Sequence, residues 1–140
     1  MAYIDTSVLV AYYCPEPFSI AAQRAVRQAD MPTISPLTEV EFCSALALKT
    51  RTHEMDVDTA TQVMASFRVH LGDGMYRIVP IEAREYALAC QWIGAFSTSL
   101  RAADAIHLSA AFSNGLILVT ADKDLARSAK HFRVKHKVIS

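Results

Sequence analysis

The order of apolar and polar positions divides the chain into short apolar runs separated by longer stretches of helical period. The first run begins at Tyr3 and is stopped by the acid Asp5, after which Thr6 and Ser7 supply turn or N-cap residues. This reads as a buried strand feeding a helix. Residues 19–29 place Ile20, Ala21, Ala25 and Val26 at helical spacing. Residues 31–35 are short and β-branched, end at Pro36, and read as a strand. A helix follows from Thr38 to Arg51, with Val40, Cys43, Ala47 and Leu48 forming its apolar stripe. Asp56 is placed to cap a helix through Val57, Ala60, Val63, Met64 and Phe67 to about Leu71, and Gly72-Asp73-Gly74 is a turn.

The second half repeats this grammar. Residues 76–81 read as a strand interrupted by Pro80. Residues 82–95 read as a helix carrying Tyr86, Ala89, Cys90 and Ile93. An alanine-rich helix from Leu100 to Phe112 meets a stop signal at Asn114-Gly115. Leu116 to Thr120 is apolar throughout, as expected of a strand covered on both faces. A short helix spans residues 122–130. Residues 132–139 alternate basic and apolar side chains, the pattern of an edge strand. Strands alternating with helices predict the α/β class: a three-layer α/β/α sandwich around a central, mostly parallel five-stranded sheet. With no linker or repeat, residues 1–140 form a single domain in this reading.

Composition narrows the function. Of the 140 residues, 52% are hydrophobic and 20% charged, which argues against a disordered chain. Only 4 glycines are present, too few for a phosphate-cradling glycine-rich loop. The N-terminus lacks a basic region and carries Asp5 inside its apolar run, so no secretory leader is expected. The least charged stretch, residues 105–121, is broken by His107, Asn114 and Gly115 and does not read as a membrane span. Cys14, Cys43 and Cys90 form no CxxC pair; each reads as a small buried hydrophobe in a reducing cytoplasm.

The acids carry the chemistry. Asp5 ends the first strand, and Asp122 lies just past the strand at 116–120. In parallel sheets functional groups gather beyond the carboxyl ends of the strands, which places these two near each other. Asp104 is embedded in the small apolar helix RAADAIHLSAA, and Glu41 lies beside an apolar stripe in TEVEFCSALAL. Such acids are costly unless paired or bound to a cation. Glu39 competes with Glu41 for this role, and Asp124 with Asp122. Asp5 and Asp122 also suit helix capping, and Asp104 has Arg101 three residues away. Four converging acids without matching bases repel one another, and a hard divalent ion such as Mg²⁺ or Mn²⁺ resolves the repulsion. A phosphodiester is the natural substrate for such a centre.

The segments YIDTSVLVAYY, EVEFCSALALK, RAADAIHLSAA and LILVTADKDLA together resemble a PIN domain, and more narrowly the VapC-type toxins of bacterial type II toxin–antitoxin pairs. The resemblance spans nearly the whole chain. It implies a Mg²⁺- or Mn²⁺-dependent endoribonuclease whose acids fall on Asp5, Glu41, Asp104 and Asp122, yielding 5′-phosphate and 3′-hydroxyl ends. It further implies that the hydroxyls of Thr6, Ser7 and Thr120 orient those acids or a metal-bound water. A cognate antitoxin protein and a homodimer are also implied, and no membrane partner. The alternative is a catalytically silent PIN-like module that binds RNA or protein. A haloacid-dehalogenase-type phosphatase needs a second aspartate two residues after the first, where Ser7 stands.

Charge fits this picture only locally. Lys and Arg total 14, balanced by 14 acids, so the whole chain has no basic footprint. From Lys123 to Ser140, however, six basic residues face the single acid Asp124. Lys123, Arg127 and Lys130 in this segment are candidate RNA contacts; the same cluster also suits a solvated edge strand protected by lysines. His107, one turn after Asp104, reads either as a packed histidine or as a proton donor to the acids. Trp92 and the Tyr12-Tyr13 pair read as core or interface.

Overall fold

The computed structural model describes residues 1–140. Its elements run β1 (Ala2–Ile4), α1 (Thr6–Tyr13), α2 (Ser19–Gln28), β2 (Pro32–Ile34), α3 (Pro36–Arg51), α4 (Val57–Gly72), β3 (Arg77–Ile78), α5 (Ala83–Gly94), α6 (Ala102–Ser113), β4 (Ile117–Thr120), α7 (Lys123–His131) and β5 (His136–Val138). The five strands lie in the order β3-β2-β1-β4-β5, and every neighbouring pair is parallel. The expected sheet is therefore wholly, not mostly, parallel. The chain winds outward from β1 through β2 to β3, then crosses back to β4 and β5. The order reverses between β1 and β4, and the crevice beyond such a reversal is where open parallel sheets bind ligands.

Alternation along the strands divides the apolar side chains between two layers. Tyr3 of β1 and Leu118 of β4 enter one core, with Leu108, Trp92 and Leu125. Their neighbours Ile4 and Val119 enter the other, with Val8, Phe42, Phe67 and Tyr76. In the second layer the Phe42 and Phe67 rings lie 4.7 Å apart and tie α3 to α4. Helices thus cover both faces, and the central strands are buried, as a continuous apolar run requires.

Element boundaries depart from the sequence reading for local reasons. Pro36 ends β2 but also opens α3, because a proline at the first helical position gives up an N–H that has no helical partner. The α3 stripe is also rotated from the expected one. Thr38, Phe42 and Leu46 are buried, while Val40 is 65% and Leu48 53% exposed. Both rows are apolar, and the larger area of Phe42 decides which faces the sheet. Likewise Ile20 and Tyr86 face solvent, and α5 buries Ala89 and Trp92 instead. Strand β3 is only two residues long; Pro80 has no N–H to extend the ladder past the Val79 N–H to Ile34 bond. Strand β5 is shorter than expected, its approach shaped by Arg133 at φ 59°. Of the cysteines only Cys14 is fully buried, and Cys90, on the outer side of α5, is exposed, contrary to its reading as a buried hydrophobe.

Candidate active site

Asp5 sits at the turn from β1 to α1. Its backbone is extended and its carboxylate caps α1 by accepting the Val8 N–H. The two strands at the reversal hold this side chain from both sides. Ser7 Oγ donates to Asp5 Oδ1 at 2.5 Å and accepts the Ala121 N–H at 3.0 Å. Thr120 Oγ1 donates to Asp5 Oδ2 at 2.5 Å and accepts the Asp122 N–H at 2.9 Å. Each hydroxyl therefore bridges the end of β1 to the segment leaving β4. Asp5 is 4% exposed, and burial pushes its carboxyl above the ordinary aspartate range, opposed by the Ser7 and Thr120 hydroxyls.

Glu41 projects from α3 toward the same place. Its Oε1 accepts from Thr6 Oγ1 at 2.7 Å and also contacts His107 Nε2. Burial raises its carboxyl, but the hydrogen bond and charge of His107 and the Thr6 hydroxyl outweigh burial and leave it below the ordinary range. Asp122 caps α7: its Oδ1 accepts the N–H groups of Asp124 at 2.8 Å and Leu125 at 3.2 Å. Asp104, in the first turn of α6, is half-buried and makes no hydrogen bond within the protein. Its carboxyl is raised first by burial, then by the negative charge of Asp122, with Glu41 and Asp5 adding to the effect and His107 opposing it. The fold therefore brings Asp104 within electrostatic range of the other three expected acids.

The competing acids are disposed differently. Asp124 is exposed and pairs with Arg127 on α7. Glu39 is partly exposed and enters no ion pair or side-chain hydrogen bond. Arg101 does not pair with Asp104; of the four acids only Glu41 has an ionic partner, His107. Lys123, Arg127 and Lys130 are all exposed on α7.

The residues that the sequence reading did not bring into the site are Tyr3, Ser35 and Thr38. The Tyr3 hydroxyl lies 2.6 Å from His107 Nδ1 and 2.8 Å from Ser35 Oγ, with Thr38 Oγ1 at 3.5 Å. Burial pushes the Tyr3 phenol up to about 12 against the Ser35 and Thr38 bonds, so it remains protonated. Period 2 along β1 and period 3 along α6 were the available signals: Tyr3 shares a strand face with Asp5, and His107 a helix face with Asp104.

Four carboxylates with no lysine or arginine bonded to them form an oxygen-only donor set, which fits a hard divalent cation. Glu41 Oε2, Asp122 Oδ2 and both Asp104 oxygens have no hydrogen-bond partner in the protein. No three His, Cys, Asp or Glu side chains close to direct-ligation spacing. A separate cavity of about 610 Å³ lies between α3 and α4, lined by Leu46, Ala47, Val57, Ala60 and Met64 and by no acid. No helix is long and apolar enough to cross a membrane.

Solved structures share this architecture. FitAcB from Neisseria gonorrhoeae aligns with a TM-score of 0.71 at 18% identity, over 97% of this chain and 96% of that one. VapC20 of Mycobacterium tuberculosis, a toxin that cleaves the sarcin–ricin loop, aligns with a TM-score of 0.72 at 17% identity, over 91% and 95%. A toxin–antitoxin complex from Klebsiella pneumoniae aligns with a TM-score of 0.66 at 21% identity, over 90% and 91%. No curated protein sequence matches the chain significantly. The sequence pattern of the PIN domain matches residues 2–131, and the chain belongs to the PIN domain family.

Proposed function

We propose that this chain is a metal-dependent endoribonuclease toxin of a toxin–antitoxin pair, acting in the cytoplasm, with Asp5, Glu41, Asp104 and Asp122 holding Mg²⁺ or Mn²⁺ at the site of RNA phosphodiester hydrolysis. The observation that carries this reading is the half-buried Asp104, which pairs with no base and whose carboxyl is raised first by burial and then by Asp122, Glu41 and Asp5. A divalent ion there supplies positive charge opposite a phosphate and makes an attacking water more acidic. The chain's own residues divide the remaining work. Asp5, held by three donors, anchors the centre. Glu41 Oε2 and Asp122 Oδ2 offer unshared oxygens to the ion. Asp104, with its raised carboxyl and no hydrogen bond, takes the proton from the water that attacks the phosphate in line. The 3′-oxygen leaves and takes a proton from solvent water, giving 5′-phosphate and 3′-hydroxyl ends.

Likeness to VapC20 supports an RNA substrate, and likeness to the Klebsiella complex supports an antitoxin protein as partner. The exposed cations of α7, one of them adjacent to Asp122, are the proposed RNA contacts. The apolar groove between α3 and α4 offers a surface for the antitoxin or for a second copy in a homodimer. The test is sequencing of RNA 5′ ends after brief expression, with the Asp5→Asn protein as control. New 5′-phosphate ends in the wild type alone are expected; identical RNA in both would contradict the assignment.

A further inference from the structure

Glu41 is held by only one of its two oxygens. Oε1 accepts from Thr6 Oγ1 at 2.7 Å and meets His107 Nε2, while Oε2 has no partner in the protein. Behind Glu41 the contacts continue inward. The Tyr3 hydroxyl is 2.6 Å from His107 Nδ1, and Ser35 Oγ is 2.8 Å from that hydroxyl. His107 is 2% exposed and Tyr3 completely buried, with ring centroids 5.6 Å apart. Neither ring can turn away without leaving a buried polar atom unpaired.

We propose that Tyr3 and His107 form a positioning relay, which fixes the proton of the imidazole on Nε2 and locks Glu41 with Oε1 bound to the protein and Oε2 turned to the metal. This rests on the metal-centre reading above and adds to it two residues that touch neither ion nor substrate. A neutral ring accepts the Tyr3 O–H at Nδ1 and so carries its hydrogen on Nε2, facing Glu41. A protonated ring donates from both nitrogens, with Tyr3 donating onward to Ser35 instead. In either state Nε2–H faces the carboxylate, so the relay does not depend on titration. A free glutamate loses substantial rotamer entropy when it is ordered. The relay orders Glu41 before the ion arrives, as partners behind metal ligands commonly do.

The experiment is Mn²⁺ binding by isothermal titration calorimetry on purified His107→Ala, His107→Gln, Tyr3→Phe and Asp5→Asn proteins, with thermal unfolding to verify folding. His107→Ala is expected to weaken Mn²⁺ roughly 10-fold or more. His107→Gln, whose amide N–H can replace Nε2–H, recovers most of that loss, and Tyr3→Phe gives a smaller loss in the same direction. Should His107→Ala fail to fold, Tyr3→Phe and His107→Gln carry the test. Wild-type affinity in Tyr3→Phe or in folded His107→Ala, with Asp5→Asn weakened, overturns the relay alone. Wild-type affinity in every variant, Asp5→Asn included, overturns the relay and the metal centre together.

Discussion

Thr120 and Asp5 are joined across 115 positions by a 2.5 Å hydrogen bond from the Thr120 hydroxyl to Asp5 Oδ2. The same hydroxyl accepts the Asp122 N–H, so one side chain couples two of the four acids. Both Thr120 and Asp5 are buried, and water cannot replace a lost bond there.

Thr120→Val keeps the shape and removes that hydroxyl. The variant is expected to lose roughly 1–3 kcal/mol of stability, the cost of leaving a buried acceptor unpaired. Urea unfolding measures it. A variant as stable as the wild type would contradict the described hold on Asp5.

Asp104 predicts a pH dependence of the metal-free protein. Its carboxyl is raised in the folded state above the ordinary 3.8, by burial first and by Asp122 next. Between 3.8 and the raised value the folded state binds more protons than the unfolded chain, so stability falls as pH rises through that window. Above it the destabilisation is complete; below 3.8 it is absent. Asp104→Asn is therefore expected to unfold at a higher temperature than the wild type at pH 7 in EDTA, with the gain vanishing in acid. Thermal unfolding across pH checks this, and an unchanged or lower Tm at pH 7 would contradict it.

Much of this was legible in the sequence. Asp5 and Asp122 sit at the ends of apolar strands, so topology alone drew them together, and Asp104 stood out as an acid inside a small apolar helix. Glu41 was harder. Choosing it over Glu39 relied on the resemblance, because both lie on one helix and spacing cannot orient that helix. The misplaced stripe of α3 is a related case: both rows are apolar, and the larger area of Phe42 decides which one is buried. The Tyr3–His107–Glu41 contacts were not legible, since they join residues far apart in the chain through side-chain geometry.

The layer of α3 and α4 depends on its tilted and edge-to-face rings. Phe67→Ala removes a fully buried side chain that meets Tyr13, Phe42 and Tyr76. The expected cost is roughly 3–5 kcal/mol, read by urea unfolding. A loss below about 1 kcal/mol would mean that this layer repacks freely.

The cations of α7 predict a salt signature. RNA binding by the inactive Asp5→Asn protein, measured from low to high salt, should weaken on adding Lys123→Ala or Lys130→Ala. The slope of log affinity against log salt should shrink by about 1 for each phosphate that is no longer neutralised. Arg127→Ala should have a smaller effect, because Asp124 already occupies its guanidinium. Unchanged slopes in all three would place the RNA elsewhere.

The most direct measurement is cleavage of a defined RNA by the purified wild-type protein and by Asp5→Asn, Glu41→Gln, Asp104→Asn and Asp122→Asn, each in Mn²⁺ and in EDTA. The account predicts cutting by the wild type in Mn²⁺ alone, and loss in every variant with its fold intact. Cutting that persists in EDTA, or in a folded Asp5→Asn protein at the wild-type rate, would contradict it.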